Sequence, residues 1–522
     1  MVTRLLKTRK RATGRKHSFG TRAIDTLIKY THKRFNWILS KSFESVDSFG
    51  FNLDTSTYTT VYSTQYKPLF SKQYHERAKC YRVFRIPVIV SVQIRKSLVL
   101  FAFAEAREGV MDTGSIDIVC RRSFDSGRSW EEGVVVATHS QLQLPKQPNH
   151  INTDNTEGTC GNPCIVTDYA RQQLVMVFCH NHASDIESSI RRGHGSRTVW
   201  VTRCPFKSAT NRSEWLHSHV WTKPVNISAQ VKRPHWTWYA TGPGIGVSLA
   251  LARKKKSRLR LIVPCNHSTL NHGTGEIGHG AHLIYSDDGG THWSLGACFD
   301  GTDLEKHGLG LNESQAAIVN VGKSTHLLLN CRSFDNEIIR AQKVQNRRVV
   351  NDSRWSRTLL PSSPSEYVRR IGVSIDGGTS FTSLMQIPQH NDVANCQVGF
   401  ITAMTPKKGI DTRYMWFSNP SSKDGRRTMR LRLVPLVTYD PLYKSSSVSK
   451  AVERSIILRK GASGYSSLCP LTPRAVGILF EAGTWLPGIS SQFTPAITYQ
   501  AIVFRVVQEY ELIQTKKLDH LT

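Results

Sequence analysis

The sequence predicts an all-β fold, and three observations support this prediction. Short runs of β-branched and apolar residues recur along the chain, each bounded by Gly, Asn, Asp or Pro, which is typical of strands joined by turns. One eight-residue turn pattern occurs three times, which indicates repeated hairpins. No long stretch keeps the period of about 3.6 residues that an amphipathic helix requires. Examples of the strand-like runs are VIVSVQI, LVLFAFA, QLVMVFCH, RLRLIVP, AAIVNV, THLLLNCR and GILFEAG.

Residues 1–78 differ from the rest of the chain and are predicted to form a basic N-terminal extension, poorly ordered or partly helical. The chain has a net charge of +30, and residues 1–80 hold 16 Lys and Arg against 5 Asp and Glu. Such an arm is expected to be a solvated tail or a contact for an anionic membrane surface. The remaining positive charge lacks the interleaved aromatic residues of a nucleic-acid module, so no nucleic acid is expected as a partner. An acidic substrate would suit this charge.

Neither a metal nor an organic cofactor is expected. The eleven cysteines lie singly in mostly apolar contexts, as reduced thiols of a core do. Cys160 and Cys164 lie four residues apart in TCGNPC, where a plain loop with two thiols is favoured over a metal pair or a disulfide. A His-rich run holds irregularly spaced histidines among glycines, which favours a polar loop over a metal site. Its histidines are His267, His272, His279 and His282.

The repeated turn has the pattern Ser-x-Asp-x-Gly-x-[Ser/Thr/His]-aromatic. Its Asp can cap backbone N–H groups of the turn, its Gly can adopt a positive φ, and its aromatic residue can pack into the sheet below. The three copies run from Ser123 to Trp130, from Ser286 to Trp293 and from Ser374 to Phe381.

These turns resemble the Asp boxes of the sialidase family. Further motifs of that family follow one another in the family's order, and together the resemblance covers about residues 80–510. It implies a six-bladed β-propeller over residues 79–515, after the basic N-terminal extension. Asp boxes are structural in that family, so the chemistry depends on the other motifs.

The resemblance implies three arginines that hold the carboxylate of a sialic acid. Arginine suits this role because its guanidinium group stays charged and binds a carboxylate in a bidentate manner. Arg85 in FRIP is similar to the first of them, and Arg332 in LNCR to the second. Two adjacent arginines follow the segment WFSNP, and Arg427 is preferred over Arg426 as the third.

Two more residues are implied to shape the same site. Arg107 ends the run LFAFAEAR and is expected to border the sugar pocket. Glu481 in LFEA is expected to orient Arg85 before a substrate arrives, since a carboxylate fixes the rotamer of an arginine beside it.

The resemblance also implies which residues are catalytic. A carboxylate nucleophile would meet the negative charge of the substrate, so sialidases use a neutral tyrosine that a glutamate activates. Tyr465 in GYSSL resembles that nucleophile, and Glu313 in LNESQ resembles its base. Asp112, in a loop that contains glycines, is the candidate acid/base, and Asp117 ranks below it.

The expected function is that of an exo-α-sialidase, a retaining glycoside hydrolase. Its expected substrates are sialylated glycoproteins, glycolipids such as gangliosides, and oligosaccharides. A trans-sialidase and a catalytically inactive sialic-acid-binding propeller are the alternatives. The similarity to animal lysosomal and bacterial enzymes implies a lysosomal or membrane-associated location, but no signal peptide is visible, so a cytoplasmic location is the other expectation.

Overall fold

The computed structural model describes residues 57–63, 81–144, 157–251, 258–321, 324–335, 367–387, 395–403, 414–422, 425–436, 452–483 and 499–514. Strands dominate these ranges, so the predicted all-β fold is confirmed. Most of the predicted N-terminal extension lies outside the described residues, and its disorder or helicity stays a prediction.

The described part of the chain contains 26 strands. They are β1 (Thr59–Ser63), β2 (Val83–Ile94), β3 (Ser97–Arg107), β4 (Ile116–Ser123), β5 (Val134–Ala137), β6 (Gly158–Asp168), β7 (Gln173–His182), β8 (Thr198–Pro205), β9 (Val225–Asn226), β10 (Trp236–Thr241), β11 (Gly244–Ile245), β12 (Val247–Leu251), β13 (Arg258–Leu270), β14 (Ile277–Ser286), β15 (Ser294–Phe299), β16 (Leu309–Val321), β17 (Ser324–Asp335), β18 (Tyr367–Ser374), β19 (Ser383–Ile387), β20 (Gly399–Thr402), β21 (Tyr414–Pro420), β22 (Arg427–Pro435), β23 (Arg454–Thr472), β24 (Ala475–Gly483), β25 (Ala501–Gln508) and β26 (Ile513–Gln514).

Helices in the described ranges are short connections between strands. None of them is long and apolar enough to cross a membrane. The α-helices are Glu187–Arg191, Phe206–Thr210, Arg212–Trp215, Ser228–Val231 and Gly301–Lys306, and the 3₁₀ turns are His139–Gln141, Ser218–Val220 and Glu509–Glu511.

Six long or central strands contact one another around a closed ring. In order these are β2, β6, β13, β16, β20 and β23, and β23 contacts β2 again. Each leads outward into an antiparallel meander, for example β2-β3-β4 or β16-β17-β18-β19. A ring of outward-running antiparallel sheets is a β-propeller.

Backbone pairing joins the strands into four sheets, and two of these sheets are composite. The nine-stranded sheet is connected at its middle by one parallel pair, Ile116 with Thr159. The eight-stranded sheet is connected through β23, whose first part pairs with β22 and whose second part pairs with β24. Divided at these joints, the strands form six groups. The number of blades stays a prediction, which this grouping favours.

The last sheet contains one strand from near the N-terminus. β1 pairs antiparallel with β25, and its Val61 and Tyr62 are buried. The Tyr62 ring stacks on Phe84 of β2 at 5.2 Å between centroids. Residues 59–63 fall within the predicted extension, yet they belong to the sheet.

The core fills the spaces between neighbouring sheets. One apolar cluster joins β2–β4 with β6–β8 and includes Phe101, Phe103, Phe178 and Trp200, each at most 1% exposed. Four more apolar clusters lie between other neighbouring groups of strands, and these shared layers hold the strand ends in fixed relative positions.

The three repeated turns have the predicted internal hydrogen bonds. In the first, Asp125 accepts from the Ser129 backbone N–H at 2.9 Å. The equivalent Asp288 and Asp376 accept from the backbone N–H groups of His292 and Ser380, each at 3.0 Å. The aromatic residues pack as expected: Trp130 meets Phe504 edge-on at 5.6 Å between ring centroids, and Phe381 stacks on Phe299 at 4.2 Å.

Three of the four histidines of the His-rich run lie on strands rather than in the predicted polar loop, and His272 lies in the exposed turn between these strands. His267 lies on β13, whereas His279 and His282 lie on β14, and the two strands pair directly. His267 and His282 are buried and their Nδ1 atoms are 3.0 Å apart. Gly280 provides space for this pair, because a Cβ atom at that position would lie 2.4 Å from Nε2 of His267.

Cysteines in the described ranges are free thiols. Cys160 and Cys164 are buried on β6 and form no disulfide. They lie on a strand rather than in the plain loop that was predicted.

Candidate active site

A cavity of about 370 Å³ opens among the ring strands, and most of the predicted site residues line it. Its lining is rich in charged groups. The lining includes Arg85, Glu105, Arg107, Asp112, Asn162, Glu187, Arg191, Arg197, Trp238, Glu313, Arg332, Arg426, Tyr465 and Tyr499.

Irregular pairing on four ring strands points side chains into this cavity. The register shifts between Arg85 and Val88 on β2, and equivalent shifts occur on β6, β16 and β23. Each shift lies beside a cavity residue, namely Arg85, Asn162, Glu313 and Tyr465. A β-bulge re-aims a side chain in this way, which explains why these residues leave the alternation of their strands.

Arg85 is held from behind by Glu481. Its Nε and Nη2 donate to the two carboxylate oxygens of Glu481 at 3.0 and 3.3 Å. Glu481 is fully buried and also accepts from the backbone N–H groups of Ile86 and Tyr465, at 2.9 and 2.8 Å. The Arg85 guanidinium carbon also lies 4.1 Å from the Tyr499 ring centroid. The orientation of Arg85 is therefore fixed in the absence of a ligand.

Arg107 and Asp112 form the neighbouring part of the wall. Arg107 donates from Nε to Glu105 at 3.1 Å and from Nη1 to Asp112 at 2.6 Å. Asp112 also accepts from Arg85 at 3.3 Å, and its side chain is 66% exposed. Some loss of hydration would raise the pKa of Asp112, but Arg107 and Arg85 outweigh this effect and hold the pKa below its usual value.

Tyr465 and Glu313 meet beside Arg85, whose guanidinium carbon lies 5.4 Å from the Tyr465 ring centroid. The Tyr465 hydroxyl donates to one carboxylate oxygen of Glu313, and the other oxygen accepts from Nη1 of Arg332 at 2.7 Å. Tyr465 is 6% exposed and Glu313 is 8% exposed. Burial, followed by the charge of Glu313, raises the pKa of Tyr465 well above its usual value, so the free phenol keeps its proton.

Arg332 and Arg426 converge on one residue, Asn395. Arg332 donates through Nε to the Asn395 side-chain oxygen, and Arg426 donates through Nη2 to the Asn395 carbonyl at 2.8 Å. Arg426 also donates to the Tyr499 hydroxyl at 3.2 Å. Three guanidinium groups, from Arg85, Arg332 and Arg426, thus face one cavity with fixed partners behind them.

Arg427, the preferred third arginine, does not line the cavity. It starts β22 and donates from Nε to Ser422 at 3.0 Å. Successive side chains near a strand point to opposite sides, so only one of two adjacent arginines can face the cavity. Arg426 occupies the position that was predicted for Arg427.

Asp117, the lower-ranked acid candidate, lies outside the cavity. It is fully buried on β4 and accepts a hydrogen bond from the Tyr81 hydroxyl at 2.5 Å. Asp112, five residues earlier, is the acidic residue of this segment that lines the cavity.

Sequence reasoning missed several residues that line the cavity. Tyr499 is one, and Arg191, Arg197 and Trp238 form a second group. Arg191 ends the short helix Glu187–Arg191 and Arg197 immediately precedes β8, in a segment where no motif identifies either residue. Trp238 lies in the aromatic run WTWYA at the start of β10, and this run is the local signal that could have identified it.

One group in the described ranges has donor atoms spaced for a metal ion, and it is not part of the cavity lining. His267, Cys298 and Asp300 have ligand atoms within 4.8 Å of one another. Nε2 of His267 accepts a hydrogen bond from the Gly301 N–H at 3.1 Å, so its lone pair is engaged.

Known proteins are similar to this chain in sequence and fold. A curated sialidase from Bacteroides fragilis is 22% identical over 415 residues, which cover 76% of this chain and 60% of the relative. The chain therefore spans less than two thirds of that relative's length. The intramolecular trans-sialidase of Ruminococcus gnavus, solved with oseltamivir carboxylate, superposes with a TM-score of 0.55 at 14% identity, covering 86% of this chain and 98% of that one. The Trypanosoma rangeli sialidase with 2,3-difluorosialic acid, described as a covalent intermediate, gives a TM-score of 0.53 at 15% identity, covering 86% and 58%.

The family assignment follows from a match over most of the chain. Residues 96–469 match the BNR repeat-like domain, and this range includes the three turns described above. The chain belongs to the family of BNR repeat-like domains, and its fold is that of the sialidase propellers.

Proposed function

We propose that this protein is a retaining exo-α-sialidase that hydrolyses terminal α-linked sialic acid through a tyrosine-linked intermediate. The observation that carries the proposal is the hydrogen bond between the Tyr465 hydroxyl and Glu313 in a cavity that three fixed arginines face. A neutral nucleophile beside a cationic cluster suits a sugar whose anomeric carbon bears a carboxylate.

The arginines bind the substrate carboxylate in this proposal. Arg85, Arg332 and Arg426 are each restrained by a partner, so little side-chain entropy is lost when the anion binds. Guanidinium groups bind carboxylates in a bidentate manner, which also fixes the orientation of the sugar ring.

Tyr465 attacks the anomeric carbon while Glu313 removes its proton. The raised pKa of Tyr465 means that the phenolate does not form in the resting site. Proton transfer to Glu313 must therefore accompany attack, and the hydrogen bond is already aligned for it. Arg332, which donates to the other oxygen of Glu313, keeps that carboxylate in place.

Asp112 protonates the oxygen of the leaving group and later activates water. Its exposed position at the cavity wall suits a group that must reach an aglycone in solvent. In the free site Arg107 and Arg85 lower its pKa, which disfavours the acid form. The substrate carboxylate offsets the charge of Arg85, so binding raises the pKa of Asp112 toward the range that an acid needs.

Sialylated glycoproteins, glycolipids such as gangliosides, and oligosaccharides are the substrate class we propose. Transfer of the sialyl group to a sugar hydroxyl is the second candidate reaction. The structural neighbour from Ruminococcus gnavus, of which this chain covers 98%, is described as an intramolecular trans-sialidase. The reactions differ in what resolves the intermediate: water releases free sialic acid, an added acceptor sugar gives a new sialylated product, and a hydroxyl of the sialyl group itself gives an anhydro sugar. Analysis of the products with and without an acceptor therefore distinguishes them.

The direct test is release of sialic acid from a fluorogenic α-sialoside at pH 4–8. We expect turnover by the wild type and a loss of at least about a hundredfold in Tyr465→Phe, because the nucleophilic oxygen is removed. Tyr510→Phe is the matched control, since Tyr510 is 84% exposed and does not line the cavity. A wild type that binds the sialoside without turnover would instead favour a binding protein.

A further inference from the structure

The positive charge of the cavity is not balanced evenly along its wall. Six arginines and four carboxylates line it, and Glu481 behind Arg85 is a fifth carboxylate, yet in the described ranges Arg191 and Arg197 have only Glu187 between them. Four of the arginines have a carboxylate partner, and these are Arg85, Arg107, Arg191 and Arg332. Among the described residues, the partners of Arg426 and Arg197 are neutral.

Arg426 belongs to the proposed carboxylate site, whereas Arg197 lies elsewhere on the wall. Arg197 donates to the Tyr239 carbonyl at 2.7 Å and to the side-chain oxygens of Asn181 and Asn162. It shares none of these partners with Arg85, Arg332 or Arg426. A substrate carboxylate held by those three arginines therefore leaves the charge of Arg197 unneutralised.

Arg197 is positioned as a binding group rather than as a surface cation. It is 3% exposed, and its guanidinium carbon lies 4.1 Å from the Trp238 ring centroid. Arg191 lies over the same ring at 4.7 Å, so one aromatic residue supports two cations. The contacts of Arg197 use three of the roughly five N–H donors of a guanidinium group, which leaves donors for a ligand in the cavity.

The surroundings of Arg191 agree with an excess of positive charge. Burial is the main cause that lowers the pKa of Arg191. Glu187 opposes this effect, while Arg197 and Arg332 add to it. Arg197, whose partners among the described residues are neutral, is a buried cation that costs free energy, and an oxyanion in the cavity would recover it.

We propose that Arg197, Arg191 and Trp238 form a second oxyanion-binding site, which selects sialosides that carry a second acidic group. The group is the carboxylate of an adjoining sialic acid or a sulfate ester on the oligosaccharide, since both present planar or tetrahedral oxyanions to guanidinium donors. This inference rests on the proposed sialidase function and names its substrate class.

The test compares three sialosides on one core: the monosialyl compound, its disialyl counterpart and its sulfated counterpart. We expect kcat/KM of the wild type to be about tenfold higher for one acidic compound than for the monosialyl parent, the effect of one charge-assisted hydrogen bond. The preferred compound identifies the source of the oxyanion. Equal kcat/KM for all three compounds would overturn the inference.

Variants then assign the preference to Arg197. In Arg197→Gln the ratio of acidic to monosialyl kcat/KM should fall to about one, and Arg197→Lys should restore part of it, because a charge remains. Arg192→Gln is the matched control, since Arg192 is exposed and does not line the cavity. An unchanged ratio in Arg197→Gln would contradict the inference even if its overall activity falls.

Failure of the proposed function remains distinguishable from failure of this site. If the wild type hydrolyses none of the three compounds, the proposed hydrolase is wrong. Calorimetric binding of the same compounds then measures the selectivity alone, and equal dissociation constants would reject the second site.

Discussion

Arg426 and Arg427 are adjacent in sequence but lie in different surroundings. Arg426 faces the cavity beside Tyr465 and Tyr499, and Arg427 bonds Ser422 outside it. Both residues are arginines and they are neighbours in the chain, so substituting each one in turn tests the effect of facing the cavity.

We expect Arg426→Gln to lower kcat/KM by at least about tenfold, because a charge-assisted hydrogen bond to the substrate carboxylate is worth roughly 1.5–3 kcal/mol. Arg427→Gln should stay within about twofold of the wild type, because Arg427 does not line the cavity. Steady-state kinetics on a fluorogenic sialoside measures both variants. A larger loss in Arg427→Gln would show that the wrong arginine has been assigned.

Asp112 provides a prediction about pH dependence. In the free site Arg107 and Arg85 lower its pKa, and a substrate carboxylate on Arg85 would offset one of these charges. The acid form, which donates the proton, should therefore persist to higher pH in the complex than in the free enzyme. The pH profile of kcat reports the complex and that of kcat/KM the free enzyme.

We accordingly expect the alkaline limb of kcat to lie at higher pH than that of kcat/KM. In Asp112→Asn the limb that reports this acid should disappear from both profiles. Coincident limbs in the wild type would mean that substrate binding does not change the pKa of Asp112.

At the scale of elements, the bulges on β2, β6, β16 and β23 decide which side chains reach the cavity. Glu481 on β24 then links two of these strands, since it accepts from Arg85 of β2 and from the Tyr465 backbone of β23. Gly464 allows this link, because a Cβ atom there would lie 2.0 Å from a Glu481 carboxylate oxygen and 2.7 Å from the Tyr499 ring.

Gly464→Ala should therefore displace Glu481 and release Arg85. We expect a loss of stability of about 1–3 kcal/mol, typical of overpacking, together with a fall in kcat/KM. Thermal unfolding and kinetics measure the two effects. Gly273→Ala is the control, because the closest contact of its added Cβ would be 3.4 Å and its turn is exposed. Unchanged kinetics in Gly464→Ala would show that Arg85 does not need Glu481.

The sequence predicted the parts of the site that lie on local motifs. Arg85, Glu313 and Tyr465 each follow a short pattern on a strand, and the structure places them around one cavity. The choice between Arg426 and Arg427 depended on which of the two side chains points toward the cavity where β22 begins. No local sequence pattern shows this direction. Arg197 could not be predicted as a cavity residue, because its position depends on contacts with Tyr239 and Asn162 from distant parts of the sequence.

At the scale of the whole molecule, the ring of sheets is connected by pairing between distant parts of the chain. β1 pairs with β25, so residues 59–63 complete a sheet that otherwise ends with β25 as an unpaired edge. Val61 and Tyr62 are buried in an apolar cluster that also contains Phe84 and Phe504. Arg121 strengthens the connection by donating to the Val61 carbonyl at 2.5 Å.

Two deletions separate the role of β1 from that of the preceding basic residues. Deletion of residues 1–56 keeps β1 and should leave the unfolding temperature within a few degrees of the full chain. Deletion of residues 1–63 removes β1, and we expect the free energy of unfolding to fall by several kcal/mol, since burial of one large apolar side chain contributes about 1.5–3 kcal/mol.

The exposed edge of β25 should also promote association between molecules. Calorimetry and light scattering measure the two effects. If both deletions unfold at the same temperature and remain monomeric, β1 does not stabilise the ring, and the folded domain begins after it.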